Sequence, residues 1–200
     1  MKNLWNVPDD FEFDPSDSAT IYVATRGFLH SEDRGSGISL LLRSEDSGEQ
    51  WRIIYPEVSK SVKVGKLQST QLLPSDLIDG AIDGTIQKIK VSPDNNNNIY
   101  LGIAPLIDYM ARERQTDKGS SVSLVFSADR GATWNTAASV PGKSVRAIFP
   151  HRNGDLVTLF TESGCYAIDI KTGDYDEIPL PVKSIMAAEG GRIENGHLIY

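Results

Sequence analysis

Three irregular stretches of the chain carry most of the side chains that could perform chemistry. They cover residues 26–37, 56–85 and 104–120, and they interrupt a pattern of short apolar segments. Paired carboxylates are what a glycoside hydrolase needs, because one protonates the leaving oxygen while the other acts as base or nucleophile. Arginine would bind the carboxylate of an anionic sugar through two parallel hydrogen bonds. The candidates of this kind are Arg26, Arg34, Asp76, Asp79, Asp83, Asp108, Tyr109, Arg112, Glu113 and Arg114.

The competing interpretation is that these charges only keep surface loops hydrated, and for any one residue that is the more frequent role. The sequence therefore predicts candidates for a ligand-binding face and leaves the catalytic residues unassigned.

Other reactive side chains indicate no site. His30, His151 and His197 lie far apart without the spacing of metal ligands, and we expect surface or turn positions for them. Cys165 stands alone at the head of an apolar segment, where a small buried hydrophobe is favoured over a nucleophile. A glycine-rich phosphate-binding motif is absent from the sequence. We predict no metal and no cofactor.

The elements that would position the candidate residues form a repeat. An apolar strand, a turn rich in Asn, Asp, Gly and Ser, and a second apolar strand recur with a fixed step of six residues from a proline to the next apolar residue. The pairs are Pro15–Ile21, Pro93–Ile99 and Pro150–Leu156, with a weaker copy in 185–200. Proline presets φ, while Asn, Asp and Gly tolerate positive φ, so each unit is predicted to be a β-hairpin.

A second repeat, of the form S-x-D-x-G-x-x-W, follows the first two hairpins. Its copies are Ser44, Asp46, Gly48 and Trp51, and then Ser127, Asp129, Gly131 and Trp134. Ser and Asp side chains hydrogen-bond nearby backbone, Gly supplies a positive φ, and Trp buries a large apolar surface. We therefore predict that these residues build turns, and that Asp46 and Asp129 are not catalytic acids.

Together with the hairpins, this motif resembles the Asp-box, or BNR, repeat of sialidase-like β-propellers, and the pattern is similar to sortilin-type ectodomains and photosystem II assembly-factor-like propellers. The resemblance covers about residues 11–54 and 86–140 at motif level, and 145–200 only by hairpin pattern. It implies an all-β propeller of four-stranded antiparallel blades, with the Asp-box turns on the side away from the ligand site. The three irregular stretches would then share the ligand-binding face.

Sialidase activity is disfavoured. Sialidases carry an Arg-Ile-Pro element upstream of the first box, and it does not occur in this sequence; the nearest string, residues 51–56, follows the box. In that family the catalytic Tyr–Glu pair comes from later blades.

The repeat count predicts a single propeller domain, or a fragment of one. The expected blades are 10–55, 86–140, 144–180 and an incomplete 184–200, with 56–85 as an insertion. The expected strands lie near 10–14, 20–25, 38–43, 51–55, 86–91, 98–103, 121–126, 133–138, 144–149, 155–160, 164–170 and 174–178. A blade takes about 40–45 residues, so the chain suffices for a partial ring of three blades and the start of a fourth. Further blades would come from a longer chain or from another copy.

Composition narrows the functional classes. With 20 Lys and Arg against 27 Asp and Glu the net charge is −7, which argues against a nucleic-acid partner. No apolar run is long enough to span a membrane, and no signal peptide is predicted, so we expect a soluble protein of unassigned compartment. The leading hypothesis is a binding or scaffold module that presents the loops opposite the Asp-boxes to a carbohydrate or protein partner. The alternative is a glycoside hydrolase, a divergent exo-sialidase or of xyloglucanase type, with its active site partly outside this chain.

Overall fold

The computed structural model describes residues 7–26, 39–56, 63–64, 84–105, 120–152, 154–180, 192–194 and 197–199. Throughout these residues the regular structure is β-strand, arranged in antiparallel sheets in which consecutive strands are neighbours.

The first sheet contains five strands: β1 (Val7–Asp14), β2 (Asp17–Arg26), β3 (Leu40–Ser44), β4 (Trp51–Tyr55) and β5 (Lys63–Val64). The second contains β6 (Thr85–Val91), β7 (Ile99–Ala104), β8 (Ser121–Ser127) and β9 (Asn135–Pro141). The third contains β10 (Val145–Pro150), β11 (Leu156–Thr161), β12 (Cys165–Asp169) and β13 (Tyr175–Ile178). A further hairpin pairs β14 (Arg192–Glu194) with β15 (His197–Ile199).

Alternating side chains explain how these strands pair. Across the first sheet, Phe11 lies opposite Val23, Val23 opposite Leu42, and Leu42 opposite Ile53, so one apolar row crosses four strands. Because the side-chain period of a strand is two, a slip by one residue would move such a row to the other face of the sheet. The hydrophobic pattern therefore fixes the register.

The sheets pack face to face through apolar clusters. One cluster joins the first and second sheets around Tyr22, Leu41, Ile89 and Leu101. Another joins the second and third sheets around Leu124, Val140, Ile148 and Leu159. The first strand of each of these sheets, β1, β6 and β10, lies in contact with the first strand of the next, as in the inner strands of propeller blades. The predicted all-β fold, a partial propeller of four-stranded sheets, is confirmed.

The structure adds a short strand to those expected and shifts some of the expected bounds. The stretch predicted as an insertion contributes β5, whose Val64 pairs with Trp51 and gives the first sheet a fifth strand. The last strand of the second sheet begins at Asn135, two residues later than expected, and continues to Pro141. Trp134 precedes that strand, and its indole donates a hydrogen bond to the Ile54 carbonyl of the first sheet.

Because consecutive strands within a sheet are antiparallel, the turns that join them lie alternately at the two ends of the sheet. Turns β1–β2, β3–β4, β6–β7, β8–β9, β10–β11 and β12–β13 lie at one end of the sheets, which we call the motif end. At the opposite, or loop, end, β2 and β7 end, β3 and β8 begin, and the β9–β10 and β11–β12 connections lie. No helix in the described part of the chain is long and apolar enough to cross a membrane.

Candidate functional site

The first S-x-D-x-G-x-x-W turn is closed by its own side chains. Ser44 Oγ accepts the Gly48 N–H at 2.8 Å and donates to Asp46 Oδ1 at 2.9 Å. Asp46 Oδ1 also accepts the Gln50 N–H at 2.8 Å, and the Trp51 indole donates to the Gly48 carbonyl at 2.9 Å. The Gln50 amide and the Ser44 hydroxyl lower the pKa of Asp46, so this carboxyl stays ionised as a hydrogen-bond acceptor.

The second turn repeats the bonds among its Ser, Asp and Gly residues, whereas its Trp134 indole donates to the Ile54 carbonyl of the first sheet. Ser127 Oγ accepts the Gly131 N–H and donates to Asp129, both at 2.8 Å. Asp129 also binds the Thr133 N–H and hydroxyl, at 2.8 and 2.7 Å. Burial acts to raise the pKa of Asp129, but the bonds from Thr133 and Ser127 outweigh it and lower the pKa. In both turns an ionised aspartate thus accepts hydrogen bonds from the backbone of its own turn. This arrangement indicates a structural role for the two aspartates and not a role in proton transfer.

The third sheet replaces this motif with a related turn. Asp169 Oδ1 accepts the N–H groups of Lys171 and Thr172 at 2.8 and 3.0 Å, and Gly173 has a φ of 78°. Those amides lower the pKa of Asp169. The motif end is therefore built from backbone-directed carboxylates in all three sheets.

The predicted ligand-face residues fall almost entirely outside the described residues. Arg26 ends β2, at the loop end. Those outside the described ranges are Arg34, Asp76, Asp79, Asp83, Asp108, Tyr109, Arg112, Glu113 and Arg114. The described residues that flank the three irregular stretches all lie at the loop end, and the role predicted for the stretches themselves stays a prediction.

A groove of about 540 Å³ lies between the second and third sheets and reaches the loop end. It is lined by Ser120, Ser121, Ser139, Val140, Pro141, Gly142, Lys143, Glu162, Ser163 and Tyr175. The second sheet supplies the start of β8 and the end of β9, and the third sheet supplies the β11–β12 turn and β13. Its volume is within the range of about 300–1,000 Å³ that small-molecule sites occupy.

Glu162 closes the loop end of this groove. Its Oε1 accepts the Lys143 N–H at 2.7 Å, and its Oε2 accepts the N–H of Ser144 at 2.8 Å and the Ser144 hydroxyl at 3.1 Å. Burial acts to raise the pKa of Glu162, yet these donors outweigh it and the pKa is lowered. Glu162 is therefore an ionised carboxylate that ties the β11–β12 turn to the connection between β9 and β10.

Tyr175 forms the aromatic wall of the groove. Its side chain is 43% exposed, although its ring packs edge-on against Tyr166 with centroids 5.7 Å apart. Facing it on the second sheet, Ser139 shares a hydrogen bond of 3.1 Å with Ser123. The groove thus combines one accessible aromatic face with several hydroxyl groups.

Sequence reasoning missed these residues. Tyr175 follows a glycine turn in a short polar strand, and Glu162 and Ser163 stand in an ordinary hairpin turn. The groove forms only where the second and third sheets pack together. The residue pattern within one strand does not indicate which residues of another sheet will lie beside it.

The structure describes the surroundings of Cys165 and His151, for which the sequence predicted a buried position and a surface or turn position. Cys165 is buried, and burial raises its pKa to about 11, as expected for a core residue. His151 lies in the β10–β11 turn and bonds Thr158 Oγ1 at 2.9 Å, whereas His30 lies outside the described residues. Among the residues that the structure describes, no group of three or more His, Cys, Asp or Glu is placed to hold a metal ion.

The fold defines the class of this molecule as an all-β, partial propeller, and solved structures with a similar arrangement include two glycoside hydrolases. One is a GH74 xyloglucanase from Xanthomonas campestris, 15% identical, with a TM-score of 0.32 over 87% of this chain and 31% of that chain. Another is a GH74 enzyme from Niastella koreensis, 11% identical, with a TM-score of 0.30 over 85% of this chain and 30% of that chain. This chain thus spans under a third of either enzyme's length. No protein-family model and no curated protein sequence matches it.

Proposed function

We propose that this protein binds carbohydrate non-covalently in the groove between the second and third sheets. The observation that carries the proposal is the exposed ring of Tyr175 in a groove otherwise rich in serine hydroxyls. A pyranose ring has an apolar C–H face and a polar rim, so it needs an apolar plate beside groups that both donate and accept. Tyrosine offers a large, rigid, amphipathic contact surface of this kind.

The hydroxyl groups supply the polar half of that surface. Ser121, Ser139 and Ser163 line the groove and are exposed. Each hydroxyl carries one donor and two acceptor sites, so the 3.1 Å bond between Ser123 and Ser139 leaves capacity for a ligand. Sugar hydroxyls have the same dual character and can pair with them in several orientations.

The groove favours binding without hydrolysis. Glycoside hydrolysis uses two carboxyl groups roughly 5–10 Å apart, of which the general acid has a raised pKa. Among the described residues that line the groove, Glu162 supplies the carboxylate, and three donors hold it ionised. A carboxylate with a lowered pKa is a poor proton donor at neutral pH.

A glycan array followed by calorimetry on the best-bound oligosaccharide tests the proposal. We expect Tyr175→Ala to weaken binding about tenfold or more, since loss of an aromatic plate is worth on the order of 1.4 kcal/mol. Tyr175→Phe keeps the plate and should stay within about threefold of the parent protein. Phe11→Ala is the matched control, because Phe11 is an exposed aromatic residue of the first sheet, 62% accessible and outside the groove.

Two results would overturn the proposal. One is an array on which no glycan is bound above background. The other is equal affinity of the parent protein and Tyr175→Ala. A reducing-sugar assay on the bound oligosaccharide should show no release of product; turnover that Glu162→Gln abolishes would favour the hydrolase alternative instead.

A further inference from the structure

A second carboxylate, that of Glu177, lies on the face of the third sheet that carries Tyr175, beside the residues that line the groove. Tyr175 and Glu177 are two residues apart in β13, so their side chains leave the same face of that strand. Tyr175 lines the groove, which places Glu177 on the groove side as well. The strand register agrees, because Glu177 pairs with Tyr166, whose ring packs against Tyr175.

The electrostatic surroundings of Tyr166 reflect the same arrangement. Burial is the largest cause that raises the pKa of Tyr166, and the hydrogen bond with the Ser163 hydroxyl acts to lower it. The negative charges of Glu177 and Glu162 raise this pKa further. The strand register gives the geometric part of this relationship, because Glu177 lies directly opposite Tyr166 on the neighbouring strand. On the opposite side, Lys143 lines the groove with a single positive charge.

From this placement we infer that the groove selects uncharged glycans over anionic ones, with Glu162 and Glu177 as the groups that disfavour a sialic or uronic acid. The inference rests on the proposed carbohydrate-binding function and assigns its ligand class. Glu162 in the groove and Glu177 beside it outnumber the single ammonium group of Lys143, so the local charge is net negative, and the net charge of the whole chain, −7, has the same sign. A ligand carboxylate would meet repulsion there, whereas a neutral glycan would not.

The experiment uses matched glycans on one array: lactose-type glycans with and without a terminal sialic acid, and cello-oligosaccharides with and without a uronic acid. We expect the neutral member of a pair to be bound more tightly. Glu177→Gln should raise the affinity for the anionic member about threefold, from one unit charge removed at about 7 Å in water, and leave the neutral member unchanged. In 0.5 M NaCl the difference between the two members should shrink, because salt screens exposed charges.

Glu49→Gln is the matched control, since Glu49 is also an exposed glutamate but belongs to the first turn at the motif end. It should leave both affinities unchanged. Equal or tighter binding of the anionic glycans, with binding still lost in Tyr175→Ala, would overturn the charge selection and leave the proposed function standing. An array with no bound glycan would overturn both.

Discussion

The carboxylate of Asp14, the last residue of β1, accepts a hydrogen bond from Arg130 Nη2 at 2.9 Å across the interface between the first two sheets. The Asp14 side chain is fully buried, and it also accepts bonds from Ser16 and Asn96. Arg130 stands in the second S-x-D-x-G-x-x-W turn with a φ of 59°, a left-handed conformation that is uncommon for a residue other than glycine. The turn therefore holds its arginine in a costly conformation from which it reaches a buried partner.

Loss of the Asp14 charge should destabilise the protein. In Asp14→Asn the guanidinium of Arg130 loses its buried partner, and we expect a loss of about 2–3 kcal/mol in the free energy of unfolding. The value is below that of a fully buried pair because the Arg130 side chain is 35% exposed. Urea titration followed by tryptophan fluorescence measures it, with the exposed Asp94→Asn as a near-neutral control. A loss no greater than that of the control would contradict the role given to this pair.

The same pair predicts how stability responds to acid. Burial acts to raise the pKa of Asp14, but hydrogen bonds from Ser16 and Asn96 and the charge of Arg130 outweigh it, so the folded pKa lies below the ordinary value of 3.8. The stability contributed by Asp14 is therefore complete above about pH 4 and is lost as the pH falls through the lowered pKa. The free-energy gap between the parent protein and Asp14→Asn should be constant from about pH 7 to 5 and should narrow at pH 3. Urea titrations at these pH values measure the gap, and an unchanged gap at pH 3 would contradict the prediction.

The two motif glycines offer a matched comparison of backbone and packing costs. Gly48 and Gly131 have similar positive φ, 94° and 84°. A Cβ on Gly48 would find its nearest atom at 3.6 Å on Trp51, whereas a Cβ on Gly131 would lie 2.7 Å from Ile54 Cδ1 of the first sheet. We expect Gly48→Ala to cost about 1–2 kcal/mol through backbone strain alone. Gly131→Ala should cost about 1–3 kcal/mol more through overpacking. Equal losses in urea titration would show that the sheets separate freely at this point.

Tyr55 and Trp134 should be energetically coupled across the same interface. Their rings pack edge to face with centroids 5.4 Å apart, and the Trp134 indole donates to the Ile54 carbonyl at 2.6 Å. A double-mutant cycle with Tyr55→Leu and Trp134→Leu should give a coupling energy of about 0.5–1.5 kcal/mol. The cycle of Tyr55→Leu with Tyr166→Leu, in the third sheet, should give none. A Tyr55–Trp134 coupling within error of zero would refute this contact as a source of stability.

The local structure of this protein can be predicted from its amino-acid sequence. The proline-to-apolar step and the two S-x-D-x-G-x-x-W motifs predicted the strands and the turn-building roles of Ser44, Asp46 and their counterparts, because each of those bonds joins residues at most four apart. Alternating apolar residues predicted which strands form sheets, since only one register buries them together.

The contacts between sheets, in contrast, become visible only in the folded molecule. Asp14 and Arg130 are 116 residues apart, and no strand or turn pattern indicates that one side chain reaches the other. The groove likewise needs Ser139 from the second sheet beside Tyr175 from the third. Such neighbours follow from the twist and spacing of packed sheets, which depend on the whole core and not on the period of any one segment.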